Sequence, residues 1–142
     1  MVVYAQNITP NGQTPIQASQ SQYFQTPISA TGAVNAQTRL TIPAPAAGMY
    51  NYVCVLSFTI TQDGTATAVN NVVTTSTNFN AFAFEASSED VAQKVFQDTI
   101  IFGTPATGCA KSAAPGVTTT FVGPTAITNA GQSWKAGYYQ AP

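Results

Sequence analysis

The chain contains no histidine. Imidazole is the commonest general base, the usual partner of a catalytic serine or cysteine, and a frequent zinc or iron ligand. All of that chemistry is therefore missing its central group. Two cysteines, Cys54 and Cys109, cannot make a standard four-ligand structural zinc site without histidine. No glycine-rich phosphate loop of the Walker or dinucleotide kind occurs. Paired carboxylates are the remaining enzymatic route, and the acids are Asp63, Glu85, Glu89, Asp90 and Asp98. A glycosidase needs two of them facing each other across a sugar. Asp63 is explained by a turn, and Glu89 and Asp90 by the start of a helix, which leaves only Glu85 and Asp98. No loop is dense enough in acids to suggest calcium. The expectation is a protein that is not an enzyme, with no cofactor and no metal.

Other side chains point to binding. Trp134 lies in Gln132-Ser133-Trp134-Lys135-Ala136-Gly137-Tyr138-Tyr139. An exposed Trp with Tyr138 and Tyr139 anchors a protein interface or stacks on a sugar ring. The plainer reading packs Trp134 at the end of a β-sandwich. Cys54 falls in an apolar strand pattern and Cys109 in a Gly/Ala/Ser-rich loop. They can pair, but the simpler expectation is a buried free thiol at Cys54 and an incidental one at Cys109. Asn7-Ile8-Thr9 fits the glycosylation pattern, but Pro10 follows it, and it reads as chance.

The elements that would position these residues are strands. Along Tyr50–Gln62, the residues Tyr52, Cys54, Leu56, Phe58 and Ile60 recur at every second position, as one face of a strand requires. Asp63-Gly64 follows, a strong two-residue hairpin signal. The hairpin predicts a return strand over 65–75, with Ile60 opposite Thr67, Phe58 opposite Val69, Leu56 opposite Asn71 and Cys54 opposite Val73. On the other face Val55 meets Val72 beside Val53, while Ser57, Thr59 and Asn70 make that face polar at its far end. The Val53, Val55 and Val72 patch would be covered by another chain, by the N-terminal arm or by a loop of the same domain.

Further strands are predicted over 23–28, 38–42, 79–85, 96–102, 118–122, 126–128 and 133–139, with a long loop over 103–117. One short helix is expected over 87–95, with Ser87 and Asp90 resembling a capping box and Val91 and Val95 on its apolar side. Roughly eight to ten strands separated by turn signals favour a two-sheet β-sandwich, jelly-roll or related Greek-key. Residues 1–22 are rich in Gln, Asn, Thr, Pro and Ser, with Val2, Val3, Tyr4, Ile8 and Ile16 as apolar anchors. Pro10 and Pro15 bar a regular helix there. This segment reads as an extended N-terminal arm, or as an edge strand and surface loop, ahead of a single domain over 23–142.

The whole chain has 142 residues and is 44% hydrophobic, enough for a globular core. Only 6% of residues are charged, against about 25% in a typical soluble domain. A nearly neutral isolated domain tends to associate, so its surface suits a molecule surrounded by neighbours. The four basic residues, Arg39, Lys94, Lys111 and Lys135, form no cluster in the sequence, so nucleic acid is not expected as a partner. The opening MVVYAQNITPNGQ lacks a basic segment and an apolar run, so no signal peptide is expected. The apolar-rich run over 50–60 is too short for a bilayer span and contains Asn51, Ser57 and Thr59, so no membrane is expected either.

A short all-β domain, a Gln/Asn/Thr/Pro-rich arm, a nearly uncharged surface and no catalytic apparatus together resemble the capsid decoration (cement) proteins of tailed bacteriophages. The resemblance is one of overall character and carries no motif. It implies a virion structural protein, made in the host cytoplasm. Such a protein binds the major capsid protein on the outer capsid surface as a homodimer or homotrimer and stabilises the shell. The second reading from the sequence is a trimeric tail-fibre or receptor-binding tip that recognises host glycans. The candidate interface residues are Val2, Val3, Tyr4, Ile8, Val53, Val55, Val72, Trp134, Tyr138 and Tyr139.

Overall fold

A computed structural model of the chain describes residues 25–62, 74–80 and 95–142. These form eight strands: β1 (Thr26–Thr31), β2 (Arg39–Ile42), β3 (Tyr50–Gln62), β4 (Thr75–Thr77), β5 (Val95–Ile101), β6 (Ala110–Lys111), β7 (Thr119–Val122) and β8 (Ala130–Ala141). They make two antiparallel sheets: one of five strands, ordered β1-β8-β3-β5 with β6 also on β3, and one of three, ordered β2-β7-β4. The all-β architecture is as expected. There is no helix among the described residues.

One apolar cluster joins the sheets. Val53, Leu56, Phe58 and Ile60 of β3 and Trp134, Ala136 and Tyr138 of β8 meet Leu40 and Ile42 of β2 and Phe121 of β7. The pattern along β8 explains this: Ala130, Gln132, Trp134, Ala136 and Tyr138 occupy every second position and all point inward. Trp134 sits at the centre, fully buried, with Phe58 at 4.6 Å and Phe121 at 6.0 Å between ring centroids.

The alternation in β3 is not continuous. Its pairing with β8 shifts between Val53 and Val55, a β-bulge at Cys54. One extra residue reverses the facing of everything beyond it. Val53 therefore joins the central core, whereas Tyr52 and Cys54 join a second cluster with Tyr139, Ala141 and Cys109. The single face expected from Tyr52 to Ile60 is thus divided between two clusters. Val53 and Val55, expected side by side, lie on opposite faces.

The predicted hairpin pairing is also corrected. From Val55 to Thr61, β3 pairs with β8 on one edge and β5 on the other. No edge remains for the partners assigned to Leu56, Phe58 and Ile60. Thr75, placed at the end of the return strand, belongs instead to β4 in the other sheet and pairs with Val122. Asp63-Gly64 and residues 65–73 lie outside the described residues. So do residues 87–94 of the expected helix; Val95, its last residue, opens β5 and pairs with Thr61. Residues 126–128 are not a strand. Ile127 is buried in a turn, where its carbonyl accepts from the Ala130 amide at 3.2 Å. The long loop over 103–117 contains β6, paired with Tyr52 and Val53.

The cysteines are not free: Cys54 and Cys109 form a disulfide across a sequence separation of 55. The bulge prepares it, because it turns Cys54 out of the core toward the loop after β5. That loop is fixed at the same point, since the amides of Phe102 and Gly103 donate to the Cys54 carbonyl at 2.8 and 3.3 Å.

Two buried polar networks clamp the sheets together at opposite ends. At one, the Gln132 side chain accepts from the Thr38 amide at 3.3 Å and donates to the carbonyls of Pro124 and Thr125 at 3.1 and 3.3 Å. The Trp134 indole donates to the Thr38 carbonyl at 3.2 Å. At the other, the Asn51 amide group donates to Thr119 Oγ1 at 3.1 Å and accepts from Gln140 at 2.9 Å. Both Asn51 and Gln140 also donate to the Pro43 carbonyl, each at 3.2 Å. Burying these amides is tolerable only because each has partners.

Candidate interaction face

Two strand arrays with period two have two faces, and the inner one is the core. The outer face of the five-stranded sheet is built from the alternate residues of β1, β8, β3 and β5, with Lys111 of β6 added beside Tyr52 at one end, its ammonium over the Tyr50 ring. Register places Pro27, Gly137, Val55 and Ile101 in one row across β1, β8, β3 and β5. Ser29, Lys135, Ser57 and Thr99 form the next, followed by Thr31, Ser133, Thr59 and Gln97. Gly131, Thr61 and Val95 close the array. Lys135 is the only charged residue in these rows.

Hydroxyls and amides dominate the middle. Ser57 Oγ and Thr99 Oγ1 are hydrogen bonded to each other, and the Gln97 amide donates to Ser57 Oγ at 3.4 Å. Apolar groups sit at the margins, where Ile101 is 75% and Val95 62% exposed. Glycine shapes the surface along β8. Gly137 and Gly131 contribute no side chain, and each lies in a depression between β1 and β3. The first, about 460 Å³, is bounded by Gln25, Pro27, Val55 and Lys135. The second, about 400 Å³, is bounded by Thr31, Val34, Thr61 and Ser133. Lys135 stands between them, exposed and without an ion-pair partner among the described residues.

The structure places the residues singled out in the sequence as follows. Val55 lies on the outer face, whereas Val53 is fully buried. Trp134 is fully buried and Tyr138 nearly so, both in the core; Tyr139 is stacked on Tyr52 with rings 4.9 Å apart. None of the three presents an open ring face for a sugar. Val2, Val3, Tyr4, Ile8, Ile16 and Val72 lie outside the described residues. Asp98 is half-buried on the inner side of β5 and accepts from the Thr99 amide at 2.9 Å; Glu85 lies outside the described residues. Among the described residues no three of His, Cys, Asp and Glu gather where a metal could be held, and no helix is long and apolar enough to cross a membrane.

The sequence reading had Ser57 and Thr59 on the polar end of this face, but it missed Gln97, Thr99, Gly131 and Lys135. The signal was present as period-two alternation over 95–101 and 131–137. What it lacked was the pairing that sets those strands beside β3.

Comparison of the chain with protein-family models, with the curated proteins and with the solved structures finds no match.

Proposed function

We propose that this protein is a non-enzymatic structural component of a virus particle, a decoration protein that binds the outside of a phage capsid lattice and stabilises it. The observation that carries the reading is the outer face of the five-stranded sheet. It is broad, built on strands and rich in Ser and Thr, and across β1, β8, β3 and β5 its rows carry one charge, Lys135. Such a face offers a neighbour many hydrogen bonds and little desolvation of charge, which suits a repeated contact within an assembly. A protein that binds only the assembled lattice stabilises it by linkage. Identical contacts repeated over the shell then add up across the particle.

Other features support the reading. The disulfide suits a location outside reducing compartments, such as the exterior of a virion. The β8 strand lies between β1 and β3, a long-range return of the kind made by jelly-roll and related Greek-key sandwiches, and we assign the fold to that group. The major capsid protein is the proposed partner, with the chain itself as a dimer or trimer. Neither nucleic acid nor a membrane is proposed. The tail-fibre reading rested on Trp134, Tyr138 and Tyr139, whose rings are engaged inside the domain.

Salt separates this mode of attachment from an ionic one. At about 1 M NaCl the screening length is about 3 Å, so exposed ion pairs contribute little. Particles washed at that concentration are expected to retain the protein, as read by gel densitometry against the shell protein. Quantitative release by salt alone would show that the contact is Coulombic and would count against the proposed face.

A further inference from the structure

Resting on the reading above, we infer that the outer face of the five-stranded sheet is the lattice-contacting surface, and that it recognises a protein surface offering a carboxylate to Lys135 and an aliphatic side chain to the Gly131 depression. The charge pattern selects the occupant. Lys135 stands near the middle of a field of neutral hydroxyls and amides, with no carboxylate in the surrounding rows. A second copy seated face to face would bring two Lys135 side chains together with nothing between them, and like-charge juxtaposition selects against a partner. A neutral surface would cover the ammonium without a counter-charge, which is equally unfavourable. A partner carboxylate answers both problems.

The depression fixes the second element. Val34, 41% exposed, supplies an apolar wall, and Thr31, Thr61 and Ser133 supply a polar rim. A small aliphatic side chain fits those surroundings. Gly131 and Lys135 are four residues apart on one strand, which spans about 14 Å. The partner must therefore present its acid and its aliphatic group at about that separation.

Gly131 also allows a clean test. It lies within β8 with no positive φ, and a Cβ built there would find only the carbonyl oxygens of Gly32 at 3.8 Å and Thr61 at 4.0 Å, ordinary contact distances. Valine is favoured in strands, so Gly131→Val fills the depression while the fold is retained. Binding of purified protein to particles assembled without it would be measured for the wild type, Gly131→Val, Lys135→Glu, Lys135→Met and the exposed β2 control Thr41→Lys. Each variant's thermal unfolding would be checked beforehand. The expected result is a loss of tenfold or more for Gly131→Val and Lys135→Glu, a smaller loss for Lys135→Met, and wild-type binding for Thr41→Lys. Wild-type binding by both Gly131→Val and Lys135→Glu would overturn the assignment of the face and leave the decoration reading standing. No binding by the wild type would overturn the decoration reading and the inference with it. Sedimentation of the free wild type as a dimer that Gly131→Val dissociates would overturn the inference by making a second copy the occupant.

Discussion

Trp134→Ala is expected to destabilise the domain by about 4 to 5 kcal/mol, a large share of the about 5 to 15 kcal/mol that holds an ordinary domain folded. Two losses add. The ring is fully buried against Phe58 and Phe121, and truncating it opens a cavity between the sheets that neighbouring strands cannot fill without breaking register. The indole N–H donates to the Thr38 carbonyl, which keeps the Gly123 amide at 2.9 Å as a second donor, so the loss is that of one net hydrogen bond, about 0.5 to 1.5 kcal/mol. Trp134→Phe keeps most of the packing and forfeits the hydrogen bond, so a loss of about 1 to 2 kcal/mol is expected. Urea titration followed by far-UV circular dichroism reads both effects. Tryptophan fluorescence cannot serve, because Trp134 is the only Trp in the chain. A change below about 0.5 kcal/mol for Trp134→Ala, the range of ordinary surface substitutions, would place the side chain at the surface, where a sugar-stacking role needs it.

Removing the disulfide is the second large effect. Its cysteines are 55 residues apart, and loop-closure entropy for a loop of that length corresponds to about 4 kcal/mol. The bond ties the β3 bulge to the loop that leads into β6, so the region around Phe102–Lys111 is expected to loosen first when it is lost. The double variant Cys54→Ala, Cys109→Ala should melt well below the wild type. A reductant should lower the wild-type melting temperature and leave that of the variant unchanged. In the native protein, alkylating reagent should label neither cysteine until reductant is added. Immediate labelling of both, or one melting temperature with and without reductant, would return the cysteines to free thiols.

Cys54 and the strand that carries it show where the sequence was legible and where it was not. The period-two pattern over Tyr50–Gln62 identified the longest strand correctly, because side-chain alternation is local to the strand. The bulge at Cys54 escaped it, since an extra residue is defined only against a partner strand, and that partner, β8, begins at Ala130. The hairpin expectation failed for the same reason. Asp63-Gly64 is a strong local turn signal, but the edges of β3 are taken by β5 and by β8, whose pairs extend from Tyr50↔Ala141 to Gln62↔Ala130. The inward alternation of β8 was obscured by Gln132, a polar residue in a core position. It becomes sensible only when Thr38, Pro124 and Thr125 are seen to satisfy it. Val95 read as helix because Val91 and Val95 share a helical spacing, while strand pairing with Thr61 decided its conformation. The outer face was half legible: Val55, Ser57 and Thr59 were on it, whereas Lys135 came to stand opposite Ser57 only through long-range register.

We propose that the outer face of the five-stranded sheet belongs to a repeated element of a particle exterior. The most direct measurement is the copy number of the chain in purified intact particles, by quantitative mass spectrometry against the major shell protein. The account predicts a fixed stoichiometry of hundreds of copies, of the same order as the shell protein. Absence from particles, or a handful of copies as expected for a fibre or tip, would contradict it.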